Sequence, residues 1–272
     1  MMYSLALLLT LTGAGASDLQ EAPATSDNED PIKKAERAER LIFMKESLKA
    51  YVLTDGADEK PMDFHDEPLL RWNNPVNGDP DGALFIWTEN RKPQAAVQVF
   101  QTKDGLWLHE FQSLSTKPFQ TTNDGVPEWR PAKAGIEMKH APDAPIPAKS
   151  DRQRLLQMRA IVEEYKAIDD FQNKQSRWEL RLLAKPVYRY ADPDLGIIDG
   201  ALWAFVHGTD PEVFVLLEAR ETRASREWQI GMAPMTAYAV EVSRKDQPVW
   251  NAPLRQPPRD PRDTFFMRVY RR

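Results

Sequence analysis

Residues 68–99, PLLRWNNPVNGDPDGALFIWTENRKPQAAVQV, and residues 186–217, PVYRYADPDLGIIDGALWAFVHGTDPEVFVLL, align without a gap at an offset of 118. Ten of these 32 positions are identical: Pro68/Pro186, Arg71/Arg189, Pro75/Pro193, Gly78/Gly196, Asp81/Asp199, Gly82/Gly200, Ala83/Ala201, Leu84/Leu202, Pro93/Pro211 and Val97/Val215. Chance gives roughly two, and self-similarity of this kind is weighed before any fold is assigned. Trp72/Tyr190, Phe85/Trp203, Trp87/Phe205 and Val99/Leu217 change residue but keep their chemistry. Each copy reads as an Asp-Gly turn, a strand, a polar loop and a return strand, which is a hairpin. Ala83, Phe85 and Trp87 alternate with Leu84 and Ile86, all apolar, which predicts a strand buried on both faces.

The similarity extends outward. Upstream, Asp30-Pro31 opens a helix that puts Leu41, Met44, Leu48 and Tyr51 on one face, and Ser150 caps one carrying Leu155, Met158, Val162 and Tyr165 at the same spacing. Downstream, Trp107/Trp228, Pro127/Pro248 and Trp129/Trp250 match at an offset of 121. Trp178/Leu180/Leu182 and Tyr238/Val240/Val242 alternate as strands. The expectation is an α+β fold of two tandem repeats, each one helix followed by a four- to five-stranded antiparallel sheet. The expected divisions are a signal peptide over 1–16, a disordered acidic linker over 17–30, repeat 1 over 31–140, a proline-rich linker over 141–149 and repeat 2 over 150–272.

Of the 272 residues, 42% are hydrophobic and 28% charged, a globular balance. There is no cysteine, which excludes disulfides, thiolate metal sites and cysteine nucleophiles. The net charge of -5 resides in residues 17–31, where Asp18, Glu21, Asp27, Glu29 and Asp30 stand without a basic residue. The rest of the chain is neutral and has no general attraction for phosphate backbones, so nucleic acid is not expected as a partner. Six arginines between Arg255 and the end read as a solvated tail.

Residues 1–16, MMYSLALLLTLTGAGA, have a short apolar run and the small-x-small pattern Ala14-Gly15-Ala16, which predicts cleavage near Ser17. The run is too short to span a bilayer, which takes about 20 residues, and no transmembrane span is expected in the mature chain. Absence of cysteine and of Asn-x-Ser/Thr sequons fits a bacterial periplasmic or secreted protein. The segments DGALFIW (81–87), HEFQSLS (109–115) and RLLQMRA (154–160) resemble exported proteins of unknown function from planctomycete bacteria, a resemblance that implies export and nothing about chemistry.

Seven of the eight tryptophans meet an aromatic in the other copy and read as core; Trp178 is the one considered for exposure and ligand contact. Asn77, Asp79 and Asp81 match the first half of a calcium loop, but Thr88 stands where that loop needs glutamate. His109 shares a strand face with Trp107 and Phe111 and aligns with Ile230, so it is either a buried core histidine or a polar group in a pocket; Glu110 points the other way. The four histidines lack zinc spacing, and there is no Gly-x-Ser-x-Gly elbow and no phosphate-binding glycine loop. No catalytic residue and no cofactor are assigned. The leading expectation is an exported non-catalytic binding or structural protein of the cell envelope. Its rival is a hydrolase or small-ligand protein with a site around His109 in repeat 1, and a third possibility is assembly through an unpaired edge strand. Copy-specific polar residues converging in one concavity would favour a ligand site; scattered ones would favour a scaffold.

Overall fold

The computed structural model describes residues 31–56, 60–74, 78–171, 177–255 and 258–270. The expected signal peptide and acidic linker, and Asn77 of the calcium-loop reading, lie outside the described residues. The first half runs α1 (Pro31–Leu48), β1 (Tyr51–Thr54), β2 (Asp63–Phe64), β3 (Leu70–Asn74), β4 (Asp79–Glu89), β5 (Lys92–Gln101), β6 (Trp107–Ser113), β7 (Gln120–Asn123), β8 (Val126–Pro127) and β9 (Lys139–His140). The second runs α2 (Asp151–Val162), β10 (Tyr165–Asp169), β11 (Trp178–Leu182), β12 (Tyr188–Asp192), β13 (Ile197–His207), β14 (Asp210–Glu221), β15 (Arg226–Pro234), β16 (Val240–Arg244), β17 (Gln247–Ala252) and β18 (Phe265–Tyr270).

This corrects the expected fold class. With two α-helices against eighteen strands among the described residues, the protein is mostly β rather than an α+β pair of four- or five-stranded repeats. A nine-stranded sheet follows the order β17-β16-β10-β11-β13-β14-β15-β9 with β12 also on β13; a six-stranded sheet runs β18-β6-β5-β4-β2 with β3 on β4; and β1-β7-β8 form a third. Nor does either half close its own sheet. The last strand of each half pairs with the third long strand of the other, β9 on β15 and β18 on β6. Local alternation reports strands but not which half a strand joins, so this exchange is invisible to periodicity.

The hairpins β4–β5 and β13–β14 are buried along almost their whole length because both faces are covered. On one face Ala83, Phe85 and Trp87 pack with Met44 and Leu48 of α1, and Ala201, Trp203 and Phe205 pack with Met158, Ile161 and Val162 of α2. On the other, Leu84 and Ile86 meet Leu202, Ala204, Phe214 and Leu216, so the two sheets stack back to back with a helix on each outer side. Tyr51 and Leu53 of β1, from the separate three-stranded sheet, close the first core, whereas Val240 and Val242 of β16, within the nine-stranded sheet, close the second. Ser150 caps α2, its hydroxyl accepting from the Gln153 amide at 3.4 Å.

The two Asp-Gly pairs are not turns; both lie inside β4 and β13. A Cβ on Gly82 would sit 2.5 Å from the Trp72 ring, and one on Gly200 would sit 2.5 Å from the Tyr190 ring. Glycine is required there because an aromatic from the neighbouring strand lies flat on the backbone. Each aspartate anchors its helix. Asp81 accepts from Arg71 at 2.8 and 2.5 Å and from Arg40 of α1 at 2.9 Å. Asp199 accepts from Arg189 at 2.8 and 2.5 Å and from Arg154 of α2 at 2.8 Å. Bidentate guanidinium pairing fixes orientation as well as charge.

Candidate functional site

The back-to-back sheets make a layer with two ends, occupied by equivalent positions of the two halves. At one end Lys92 lies 2.9 Å from Glu218, both buried. Glu218 also accepts from the Tyr190 hydroxyl at 2.7 Å and from Arg220 at 2.7 and 2.9 Å. Burial alone would raise the Glu218 pKa, but Lys92, Tyr190 and Arg220 together hold it below the ordinary carboxylate range. Ile136 and Met138 cross Gly231, which has no room for a Cβ: Met138 Sδ would be 2.6 Å from it. That end is filled.

The equivalent positions at the other end are different. At the 118 offset Lys92 becomes Asp210, Gln94 becomes Glu212, Glu218 corresponds to Phe100 and Ile197 to Asp79; at 121 Gly231 corresponds to Glu110. Here a cavity of about 510 Å³ opens, with Asp79, Glu110, Asp210 and Glu212 on its walls, Phe100, Met235 and Tyr238 between them, and Asp104, Lys103 and Arg255 also lining it. Asp210 accepts from Asn74 at 3.3 Å. Burial, with Asp79 and Asp169 adding repulsion, pushes its pKa up to about 8 despite the hydrogen bonds. Glu110 is raised by burial and by Asp210 and Asp79. Glu212 is raised by burial and by Asp210, Asp169 and Glu110, against a hydrogen bond from Thr236. Tyr238, among the same carboxylates, is pushed up to about 12, chiefly by burial. Like charges this close disfavour joint ionisation, and a cation placed among them relieves the repulsion.

Beside this cavity Asp169 of β10, His207 of β13 and Glu212 of β14, all buried, bring one donor atom each within 4.8 Å of one another. Asp169 Oδ1 accepts from the Phe171 amide at 3.2 Å, while Oδ2 and His207 Nδ1, 3.7 Å apart, have no hydrogen-bond partner among the described residues. The His207 ring packs between Phe171 and Trp178, at centroid distances of 4.6 and 5.2 Å.

The residues singled out from sequence fall in four places. His109 is fully buried in the first core. Ser47 Oγ, 3.1 Å from His109 Nε2, already donates to the Met44 carbonyl and therefore accepts from Nε2–H; Nδ1 is left to accept from the Tyr51 hydroxyl at 3.3 Å. Its ring stacks on Tyr270 at 5.1 Å. Burial, aided by Arg268, lowers its pKa to about 3, so it is neutral. His109 lines none of the cavities described, and replacing it with isoleucine removes one hydrogen bond from each of Ser47 and Tyr51. Glu110, on the opposite face, does line the inter-sheet cavity. Trp178 is 43% exposed and covers His207. Asp79 faces the inter-sheet cavity, whereas both oxygens of Asp81 are engaged by guanidiniums on the helix side. The two aspartates thus do not share a calcium loop. The signal that was missed is the hairpin-end sequence His207-Gly-Thr-Asp210-Pro-Glu212, whose polar residues are specific to the second copy.

A second cavity of about 480 Å³ lies beside β17, lined by Tyr165, Ile230, Met232 and Trp250. It has a plain origin. β18 inserts Phe266 and Tyr270 into the first core, whereas β9 offers the second only the exposed Lys139 and His140.

No protein-family model matches the chain, and no curated protein and no solved structure matches it either.

Proposed function

We propose that this chain is an exported, non-catalytic binding protein that holds a small organic cation in the acidic cavity between its two sheets. The observation that carries this reading is the convergence in one concavity of polar residues that the other copy lacks: Asp79, Glu110, Asp210 and Glu212 replace isoleucine, glycine, lysine and glutamine. A scaffold would scatter such differences. Phe100 and Tyr238 offer aromatic faces to a cation, and Met235 and Met267 offer adaptable apolar contact to an alkyl chain. An alkylammonium or linear polyamine fits both features. This proposal puts the site in the inter-sheet cavity rather than around His109. The leader-like residues 1–16 support export, and no described helix is long and apolar enough to cross a membrane.

Calorimetric titration of the full chain with spermidine, and with succinate as an anionic control, tests the reading. Spermidine should bind with one site per chain and weaken steeply with salt, because screening reduces attraction between charges. Asp79→Asn and Glu110→Gln should each weaken it about tenfold, the equivalent of about 1.4 kcal/mol. Absence of spermidine binding, or unchanged affinity in both variants, would refute the assignment.

A further inference from the structure

The Asp169–His207–Glu212 cluster has a counterpart in the first half, and the counterpart shows what the cluster is built to hold. At the offsets of helix and hairpin, Asp169 corresponds to Asp55, His207 to Glu89 and Glu212 to Gln94. There the Lys117 ammonium stands between the carboxylates, 3.1 Å from Asp55 and 3.9 Å from Glu89. At the offset of 121, Lys117 corresponds to Tyr238. The second half thus keeps an aspartate, strengthens the other two positions as ligands, and replaces the internal cation with a phenol. No lysine or arginine among the described residues forms an ion pair with Asp169 or Glu212.

Two further observations point to a ligand. The Asp169 side chain is completely buried and that of His207 is 7% exposed, yet Oδ2 and Nδ1, turned toward each other at 3.7 Å, have no hydrogen-bond partner among the described residues. A buried polar atom left in that state is costly unless something else satisfies it. The outer contacts are those of an oriented ligand set: the Phe171 amide fixes the Asp169 carboxylate, Thr236 bonds Glu212, and Phe171 and Trp178 hold the imidazole plane.

We propose that Asp169 Oδ2, His207 Nδ1 and a Glu212 carboxylate oxygen bind one borderline divalent transition-metal ion of the Zn(II) type. One imidazole with two carboxylates suits zinc better than calcium or magnesium, which take more oxygen ligands and no nitrogen. Zinc bonds of about 2.0–2.1 Å at tetrahedral angles put ligand atoms about 3.3 Å apart. The 3.7 Å edge is already close to this, and one donor atom from each of the three residues lies within 4.8 Å of the other two. The site shares Glu212 with the inter-sheet cavity but does not require that the cavity hold an amine.

The test is competition of the full chain with a fluorescent zinc chelator, Zn(II) being the probe and Ca(II) and Mg(II) the comparators. One equivalent of zinc per chain is expected, undisturbed by a large excess of calcium or magnesium, and zinc should raise the melting temperature. His207→Gln should weaken uptake at least a hundredfold, and Asp79→Asn should leave it unchanged. Tyr238→Lys keeps all three ligands but restores the internal cation of the first half; it should abolish uptake while the chain still unfolds cooperatively. Failure of the wild type to take up zinc would overturn the proposal, as would stoichiometric uptake by folded His207→Gln or by Tyr238→Lys. Zinc uptake without spermidine binding would sustain this site and retire the amine reading; spermidine binding without zinc uptake would do the reverse.

Discussion

The two ends of the inter-sheet layer start from equivalent backbone positions and reach opposite solutions. At the closed end the Lys92 ammonium, the Arg220 guanidinium and the Tyr190 hydroxyl surround Glu218, and Ile136 and Met138 fill the remaining space over Gly231. At the open end Asp210 replaces the lysine, Phe100 replaces the glutamate, and a cavity of about 510 Å³ remains with five carboxylates, Asp79, Asp104, Glu110, Asp210 and Glu212, on its walls. A buried ion pair offers only modest stability against an apolar replacement, but a buried charge without its partner is expensive. The closed end is a finished structural contact; the open end gathers carboxylates whose joint ionisation is disfavoured by burial and by one another. That asymmetry, within a chain whose pairing pattern recurs from half to half, is what separates scaffold from site.

The largest effect is expected at the closed end. Lys92→Met leaves Glu218 with Arg220 and Tyr190 alone and should cost about 3 kcal/mol by chemical denaturation, as loss of one partner of a buried pair does. Adding Glu218→Gln to Lys92→Met should recover more than half of the loss; no recovery would mean that packing rather than charge holds this end.

The two helix-side cores supply a smaller contrast, His109 against Ile230. His109→Ile should cost about 1–2 kcal/mol at pH 7, because Ser47 and Tyr51 lose a buried hydrogen-bond partner. Its pH dependence is distinctive. The folded-state pKa of about 3 lies below the unfolded value of about 6.5, so the unfolded chain binds more protons between these limits. Stability conferred by neutral His109 is therefore present above about pH 6.5 and drains away as pH falls toward 3, by up to about 1.4 kcal/mol per pH unit. Denaturation curves of wild type and variant should converge about one unit below pH 6.5. A constant difference down to pH 5 would show that His109 is not held neutral.

Much of the strand pattern was legible because it rests on local alternation. Phe85 and Trp87 against Leu84 and Ile86 foretold a hairpin covered on both sides, and Leu41, Met44 and Leu48 foretold the packed face of a helix. The balance of the fold was not legible. Short strands such as β8 and β9, two residues each, carry no periodicity, and the exchange of β9 and β18 between halves depends on contacts more than 80 residues apart. The Asp-Gly pairs misled for a physical reason: glycine serves there to admit Trp72 and Tyr190 rings, not to turn the chain. Of the site, Glu110, Asp79 and Trp178 were named from sequence, but as members of other constellations. Asp169, His207, Asp210 and Glu212 were not, because hairpin ends read as solvated loops until the second sheet is placed over them.

In the proposed function the open end takes up an external cation, with Lys103 and Arg255 of the chain also on its walls. Asp210→Lys tests it most directly, since it installs at that position the residue that Lys92 supplies at the closed end. Its ammonium should settle among Asp79, Glu110 and Glu212, leave the melting temperature unchanged or higher, and reduce spermidine affinity at least a hundredfold in calorimetric titration, about 2.7 kcal/mol. A folded Asp210→Lys protein that binds spermidine as tightly as the wild type would contradict the account.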